Sequence, residues 1–104
     1  MTDSQIQTPE TWHKFEDVLG CKWSLAVLDL ITRGINRPGA MTRAYEGLTT
    51  KVLNERLTKM MRYNILTKES YPETPPRVEY QLTPYGEKFV QILKAIKDLD
   101  QEPA

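Results

Sequence analysis

Thr49-Thr50-Lys51-Val52-Leu53-Asn54 places two hydroxyls, an ammonium and a carboxamide in a six-residue run. An Asn can make paired hydrogen bonds to an adenine edge, and a Lys can reach guanine or a phosphate, so these types can read a nucleic acid. Arg37 and Arg43, just upstream, suit backbone phosphates, contacts that position a protein on a duplex without specifying sequence. Lys59 and Arg77 extend the set downstream. Each residue also has an ordinary structural alternative. Thr49 is a natural helix cap, and the Lys51 side of a helix can simply be solvated. Lys59 and Arg62 complement the negative end of a helix dipole. Arg77 can pair across strands with Glu69. Arg56 lies at the edge of an apolar stripe, where an internal ion pair to Glu46 or Glu79 competes with DNA.

Other chemistries find less material. There is one histidine, His13, and one cysteine, Cys21. That leaves no intrachain disulfide, no Cys-rich zinc site and no nucleophile–base–orienter set. No Gly-rich phosphate cradle is present. The sequence therefore calls for no metal, no cofactor and no enzymatic activity. Cys21 stands between a helix-stopping Gly20 and Lys22 at the expected start of a helix. A helix N-terminus and a neighbouring cation both lower a thiol pKa, which would make Cys21 a redox-reactive residue. The alternative is a small buried side chain.

The elements that must position these residues follow from periodicity. Trp12, Phe15, Val18 and Leu19 share a face of a first helix that Gly20 ends. Trp23, Ala26, Val27, Leu30 and Ile31 form the apolar stripe of a second helix, about 22–33, stopped by Gly34. Leu25 and Leu28 lie off that stripe, so this helix is expected to be wrapped on two sides. Trp12, Trp23, Tyr45, Tyr80 and Tyr85 all fall at core-facing spacings. A short helix follows from Pro38 to about Tyr45, proline being well placed in a first turn. Glu46-Gly47-Leu48 makes a tight turn, and Thr49 caps a long helix over 50–62 with Leu53, Leu57, Met60 and Met61 inward. Lys51, Glu55, Thr58 and Arg62 point the opposite way. Ile65–Tyr71 and Val78–Leu82 read as strands around a Pro72–Pro76 tip that cannot join a ladder. Thr83-Pro84 opens a last helix to about Leu99, whose Tyr85, Phe89, Ile92, Ile96 and Leu99 recur at 4-3-4-3, with Leu93 widening the seam.

Two helices joined by a short Gly-containing turn are a helix-turn-helix, and a hairpin directly after the second is a wing. The fold class expected is thus mainly α with a small β-hairpin wing, a winged helix-turn-helix. At 104 residues the chain is one domain. Residues 1–9 are expected to be a flexible N-terminal arm, 10–99 the winged helix-turn-helix domain and 100–104 a flexible tail. Fourteen basic and fourteen acidic residues cancel, which taken alone argues against a nucleic-acid partner. The distribution reverses that argument. Residues 33–68 hold eight basic and two acidic side chains, a surplus of six, while 1–32 and 69–104 each carry a deficit of three. Attraction to phosphate would be confined to the helix-turn-helix face, with the acidic ends lying elsewhere. No apolar run approaches membrane-spanning length and the first residues lack signal-peptide character, so a cytoplasmic, nucleoid-associated location away from membranes is expected.

Gly20-Cys21-Lys22-Trp23, the run from Gly47 to Leu57, and Pro75-Pro76-Arg77-Val78-Glu79-Tyr80-Gln81-Leu82-Thr83-Pro84-Tyr85-Gly86 resemble the HxlR-type winged helix-turn-helix regulators, relatives of MarR-like factors. The resemblance covers about residues 10–98. It implies a homodimeric DNA-binding regulator of transcription, and the reading adopted is a repressor that binds an operator in double-stranded DNA. It also implies dimerisation through the terminal helices, in agreement with the C-terminal seam; Trp12, Phe15, Phe89, Ile92, Leu93, Ile96 and Leu99 are the candidates. Some members of the family sense oxidants through a cysteine that would align near Glu10. This chain has none there, and Cys21 stands where a second glycine is common. Pro38 departs from the aromatic residue that usually follows Arg37. A small-molecule or redox effector is one further partner. The alternatives to a DNA-binding regulator are a winged-helix module that binds protein and a thiol switch through Cys21.

Overall fold

The computed structural model describes residues 10–100; the expected arm at 1–9 and the tail beyond Asp100 lie outside them. Five helices and one hairpin follow in the order α1 (Glu10–Gly20), α2 (Ser24–Thr32), α3 (Pro38–Ala44), α4 (Thr50–Arg62), β1 (Leu66–Tyr71), β2 (Arg77–Leu82) and α5 (Pro84–Leu99). This is the winged helix-turn-helix expected. The strands pair antiparallel, with Leu66 opposite Leu82 and Tyr71 opposite Arg77. Among the described residues no helix is long and apolar enough to cross a membrane.

Local chemistry sets most boundaries. Thr49 Oγ1 accepts from Val52 N at 3.1 Å, capping α4. Thr83 Oγ1 accepts from Gly86 N at 2.8 Å, capping α5, and donates to Asn64 O at 2.6 Å. One side chain thus ties the start of α5 to the end of α4. Asn64 takes the left-handed conformation just past α4, at φ 63°. Pro38 occupies the first turn of α3 with Arg37 as its N-cap, so the absent aromatic residue is replaced by a pre-set helix start.

Helix α2 departs from expectation. It begins at Ser24 rather than near Lys22, because Trp23 takes a left-handed φ of 80°. Such a conformation in a bulky residue costs on the order of 1–3 kcal/mol and persists only where packing holds it. Here the indole lies 5.9 Å from the Tyr45 ring and over Gly47, whose φ of 92° makes the helix-turn-helix turn. Trp23 therefore leaves the α2 stripe and braces the turn instead. Leu28 is buried as expected, but Leu25 is exposed, so the protomer wraps α2 on fewer sides than its composition suggested.

One core joins all the elements. Val18 of α1, Val27, Leu30 and Ile31 of α2, Met41 of α3, Leu53, Leu57 and Met60 of α4, Ile65, Leu66 and Tyr80 of the hairpin, and Phe89 and Val90 of α5 are buried together. Phe15 stacks on Phe89 with ring centroids 3.8 Å apart, fixing α1 on α5. Gly86 lets α5 reach the start of the hairpin: a Cβ there would meet Ile65 O at 2.0 Å. Two expectations are corrected. Trp12 is 62% exposed and belongs to no core. Phe89, at 2%, is already enclosed by its own protomer and has no surface to offer a partner.

Candidate nucleic-acid interface

Helix α4 turns Leu53, Leu57 and Met60 into the core, which fixes its rotation. The opposite face carries Thr50, Lys51, Asn54, Glu55, Thr58 and Arg62, all exposed. Among the described residues no ion pair engages Lys51, Arg62, Arg43 of α3 or Lys68 of β1. Thr49 is spent on the cap. The sequence-derived set Thr50, Lys51 and Asn54 thus shares one solvent face, with Arg43 exposed on the preceding helix.

Lys59 sits differently. Its ammonium lies 3.1 Å from Asp17 Oδ1 on α1 and 3.9 Å from Cys21 Sγ. The other Asp17 oxygen accepts from the Tyr63 hydroxyl, just past α4. The Tyr63 hydrogen bond foremost, then that of Cys21, holds the Asp17 carboxyl down at about 2, burial only partly opposing them. The same bond raises the Tyr63 hydroxyl above its ordinary range. This polar cluster fastens α1 to the C-terminal half of α4. Nothing in the local sequence marked it, since the partners stand more than forty positions apart and periodicity carries no information at that range.

Cys21 belongs to the same cluster. Its Sγ donates to Asp17 Oδ1 at 3.1 Å. That hydrogen bond, with burial next, raises the thiol above its ordinary value, and Lys59 offsets this only in part. The sequence suggested a lowered value because α2 was expected to start beside Cys21. The helix starts later, and the near neighbour is a carboxylate. At neutral pH the group is a thiol, the unreactive form.

The wing is built onto the helix-turn-helix through two contacts. Tyr80 N donates to Asn36 O at 2.9 Å and Asn36 Nδ2 donates to Tyr80 O at 3.0 Å, so the backbone and side chain of the residue before Arg37 together fasten it to β2. Beside it, Arg37 binds Glu79 Oε2 through Nε at 3.3 Å and a terminal nitrogen at 3.2 Å. Arg77 stacks over Tyr71 at 4.0 Å and pairs with Glu73 at 3.1 Å. Its Nε is 3.7 Å from the same Glu79 oxygen, too far for a hydrogen bond, and has no partner. Arg77 therefore pairs within its own strand and tip rather than with Glu69. Glu79 gathers Arg37 and Arg77 at the junction of wing and α3, a role its place in an alternating strand did not reveal. Arg56, for its part, donates to Lys22 O at 3.0 Å instead of meeting Glu46 or Glu79.

Helices α1, α2 and α5 leave an apolar surface uncovered. Trp12 and Leu19 of α1, Leu25 of α2, and Ile92, Ile96 and Leu99 of α5 are exposed, Leu99 at 70%. From Lys94 onward every residue of α5 is exposed. Phe15 and Leu93 are half-buried against the core.

A core-anchored helix with a polar outer face, a Gly-containing turn before it and a hairpin after it define the winged helix-turn-helix class. Residues 18–103 match the HxlR-like helix-turn-helix family, and the chain belongs to it. An uncharacterized HTH-type transcriptional regulator of Synechocystis is 38% identical over 86 residues, which are 83% of this chain and 64% of that protein. The chain therefore spans somewhat less than two thirds of that relative's length. A MarR-family transcriptional regulator of Enterococcus faecalis has the same fold, with a TM-score of 0.79, 31% identity, and 96% of this chain and 92% of that one covered. Diamide-treated YodB of Bacillus subtilis gives 0.79 at 26% identity, covering 95% and 100%.

Proposed function

We propose that this protein is a homodimer that binds a pseudopalindromic operator in double-stranded DNA and regulates transcription there by repression. The outer face of α4 carries the reading: Thr50, Lys51 and Asn54 are exposed on a helix whose rotation the core fixes. In this class that helix enters the major groove, where Lys and Asn meet base edges and phosphates. Arg43 flanks it from α3, suited to a phosphate contact, and Arg77 stands beside it on the wing, whereas Arg37 is held by Glu79. The exposed Trp12, Leu19, Leu25, Ile92, Ile96 and Leu99 offer a second copy an apolar face made of α1, α2 and α5. A two-fold arrangement would set two α4 helices about one DNA turn, ~34 Å, apart or a multiple of it. Cys21 is given no sensing role in this reading, because its Sγ faces the Asp17 carboxylate, which raises rather than lowers the thiol's pKa.

The test is fluorescence anisotropy with genomic fragments recovered on the purified protein. Lys51→Ala with Asn54→Ala is expected to weaken the preferred site by about tenfold or more, since each well-made base contact contributes roughly 1–3 kcal/mol of discrimination. Binding as tight as that of the unaltered protein removes α4 from the interface.

A further inference from the structure

Glu55 is the anomaly on the proposed reading face. Residues 33–68 contain only two acidic side chains, Glu46 and Glu55. Glu55 lies one turn beyond Lys51 on the outward face of α4, along the line from Lys51 to Arg62. Its possible helical partners, four residues away on either side, are Lys51 and Lys59. Lys59 is drawn to Asp17, and among the described residues no ion pair engages Glu55 at all. The carboxylate therefore faces solvent with no cation among the described residues paired to it.

A free carboxylate facing a polyanion is repelled unless a donor in the groove receives it. The major groove offers exocyclic amino groups, and a Glu accepts from the cytosine N4 amino group. Helical rise places Glu55 about 6 Å along the axis from Lys51. That is within about two base-pair steps at ~3.4 Å each. We propose that Glu55 is a specificity-determining residue that accepts a hydrogen bond from a cytosine amino group in each half-site, within about two base pairs of the Lys51 contact. Guanine and thymine offer no amino donor in the major groove, and at adenine the N7 acceptor beside the amino group repels the second carboxylate oxygen, so the same side chain that recognises the operator weakens binding to unrelated DNA. This inference rests on the DNA-binding reading above.

Selection from randomised duplexes separates the two. The unaltered protein is expected to enrich a symmetric site with cytosine at one fixed position per half. Glu55→Ala is expected to lose the preference at that position alone and to bind unrelated duplexes several-fold more tightly. Its ratio of operator to unrelated affinity should fall about 10- to 100-fold, the range of one such contact. Glu55→Gln, which presents an acceptor and a donor, is expected to shift the position toward adenine. Circular dichroism checks that both exposed-site variants stay folded. Tighter binding by Glu55→Ala with an unchanged sequence profile places the carboxylate beside phosphates and overturns the proposal. An unchanged profile with unchanged affinity overturns it too. If the unaltered protein enriches no sequence, the DNA-binding reading itself fails and takes this inference with it.

Discussion

Which cations reach DNA can be counted from the structure and tested by salt. Of the eight basic residues between 33 and 68, Arg33 pairs with Asp29, Arg37 with Glu79 and Lys59 with Asp17, while Arg56 is bound to the Lys22 carbonyl. Arg43, Lys51, Arg62 and Lys68 remain exposed and unpaired among the described residues. A dimer doubles that set. Each neutralised phosphate contributes about −0.9 to the slope of log K against log salt, so full engagement predicts a slope of about −7. Between 50 and 200 mM salt this is a loss of about 10⁴-fold in affinity.

Lys51→Ala removes one free cation per protomer and is expected to flatten the slope by about 2. Lys59→Ala is the contrasting variant. Its ammonium is committed to Asp17, so the slope should hold while thermal stability drops, because Asp17 loses a partner and stays partly enclosed with 18% of its side chain exposed. Anisotropy on a labelled duplex across that salt range, with thermal melts of the same samples, gives both readouts. If Lys59→Ala flattens the slope as much as Lys51→Ala does, Lys59 leaves Asp17 for phosphate on binding and the count is wrong.

The same cluster predicts an acid limb of stability. The folded Asp17 carboxyl titrates at about 2, against 3.8 ordinarily; a depressed value means its contribution is complete above about 3.8 and lost as pH falls toward 2. At about 1.4 kcal/mol per pH unit, discounted for solvent screening, that is about 1 kcal/mol, which urea titrations at pH 5 and pH 2.5 of the protein and of Asp17→Asn would compare; equal acid sensitivity in both removes Asp17 as the source. Gly86→Ala forces a Cβ to 2.0 Å from Ile65 O, which either breaks the Thr83 cap or moves the wing. A loss of about 3 kcal/mol is expected, read as a fall in Tm of roughly 12 °C or more; an unchanged melt would mean that α5 shifts freely. Ile96→Glu with Leu99→Glu is expected to give a folded protomer of half the mass by light scattering, since both side chains are exposed within the protomer; a dimer that survives puts its interface elsewhere.

Legibility followed distance along the chain. The Thr49 and Thr83 caps, the Gly47 turn and the apolar face of α4 are all set within a few residues, so spacing alone located the helix-turn-helix and the hairpin. The start of α2 was not legible, because Trp23 is held left-handed by Tyr45 and the turn at Gly47, far from it in sequence. Phe89 shows the complementary case. The 4-3-4-3 seam identified it as apolar, but a seam has no label for which partner covers each residue. Phe15 of the same protomer takes Phe89, and only the later residues Ile92, Ile96 and Leu99 stay open.

Charge was legible in amount and not in destination. The surplus of six over 33–68 and the acidic flanks suggested basic and acidic regions lying apart. The fold brings two of them together instead: Asp17 from the first flank holds Lys59 and Glu79 from the second holds Arg37, while Asp29 pairs with Arg33 one helical turn away. The flanking acids thus select which cations are left for DNA. Those left are on the exposed faces of α3, α4 and β1, while those taken brace α1 against α4 and the wing against α3. A formal charge of zero is then compatible with a steep salt dependence, because the paired groups cancel inside the protomer and the unpaired cations share one segment with Glu55. That carboxylate is the one charge on the outer face of α4 that the pairing logic leaves opposed to DNA. Simple attraction gives it no place there, whereas recognition of a base does.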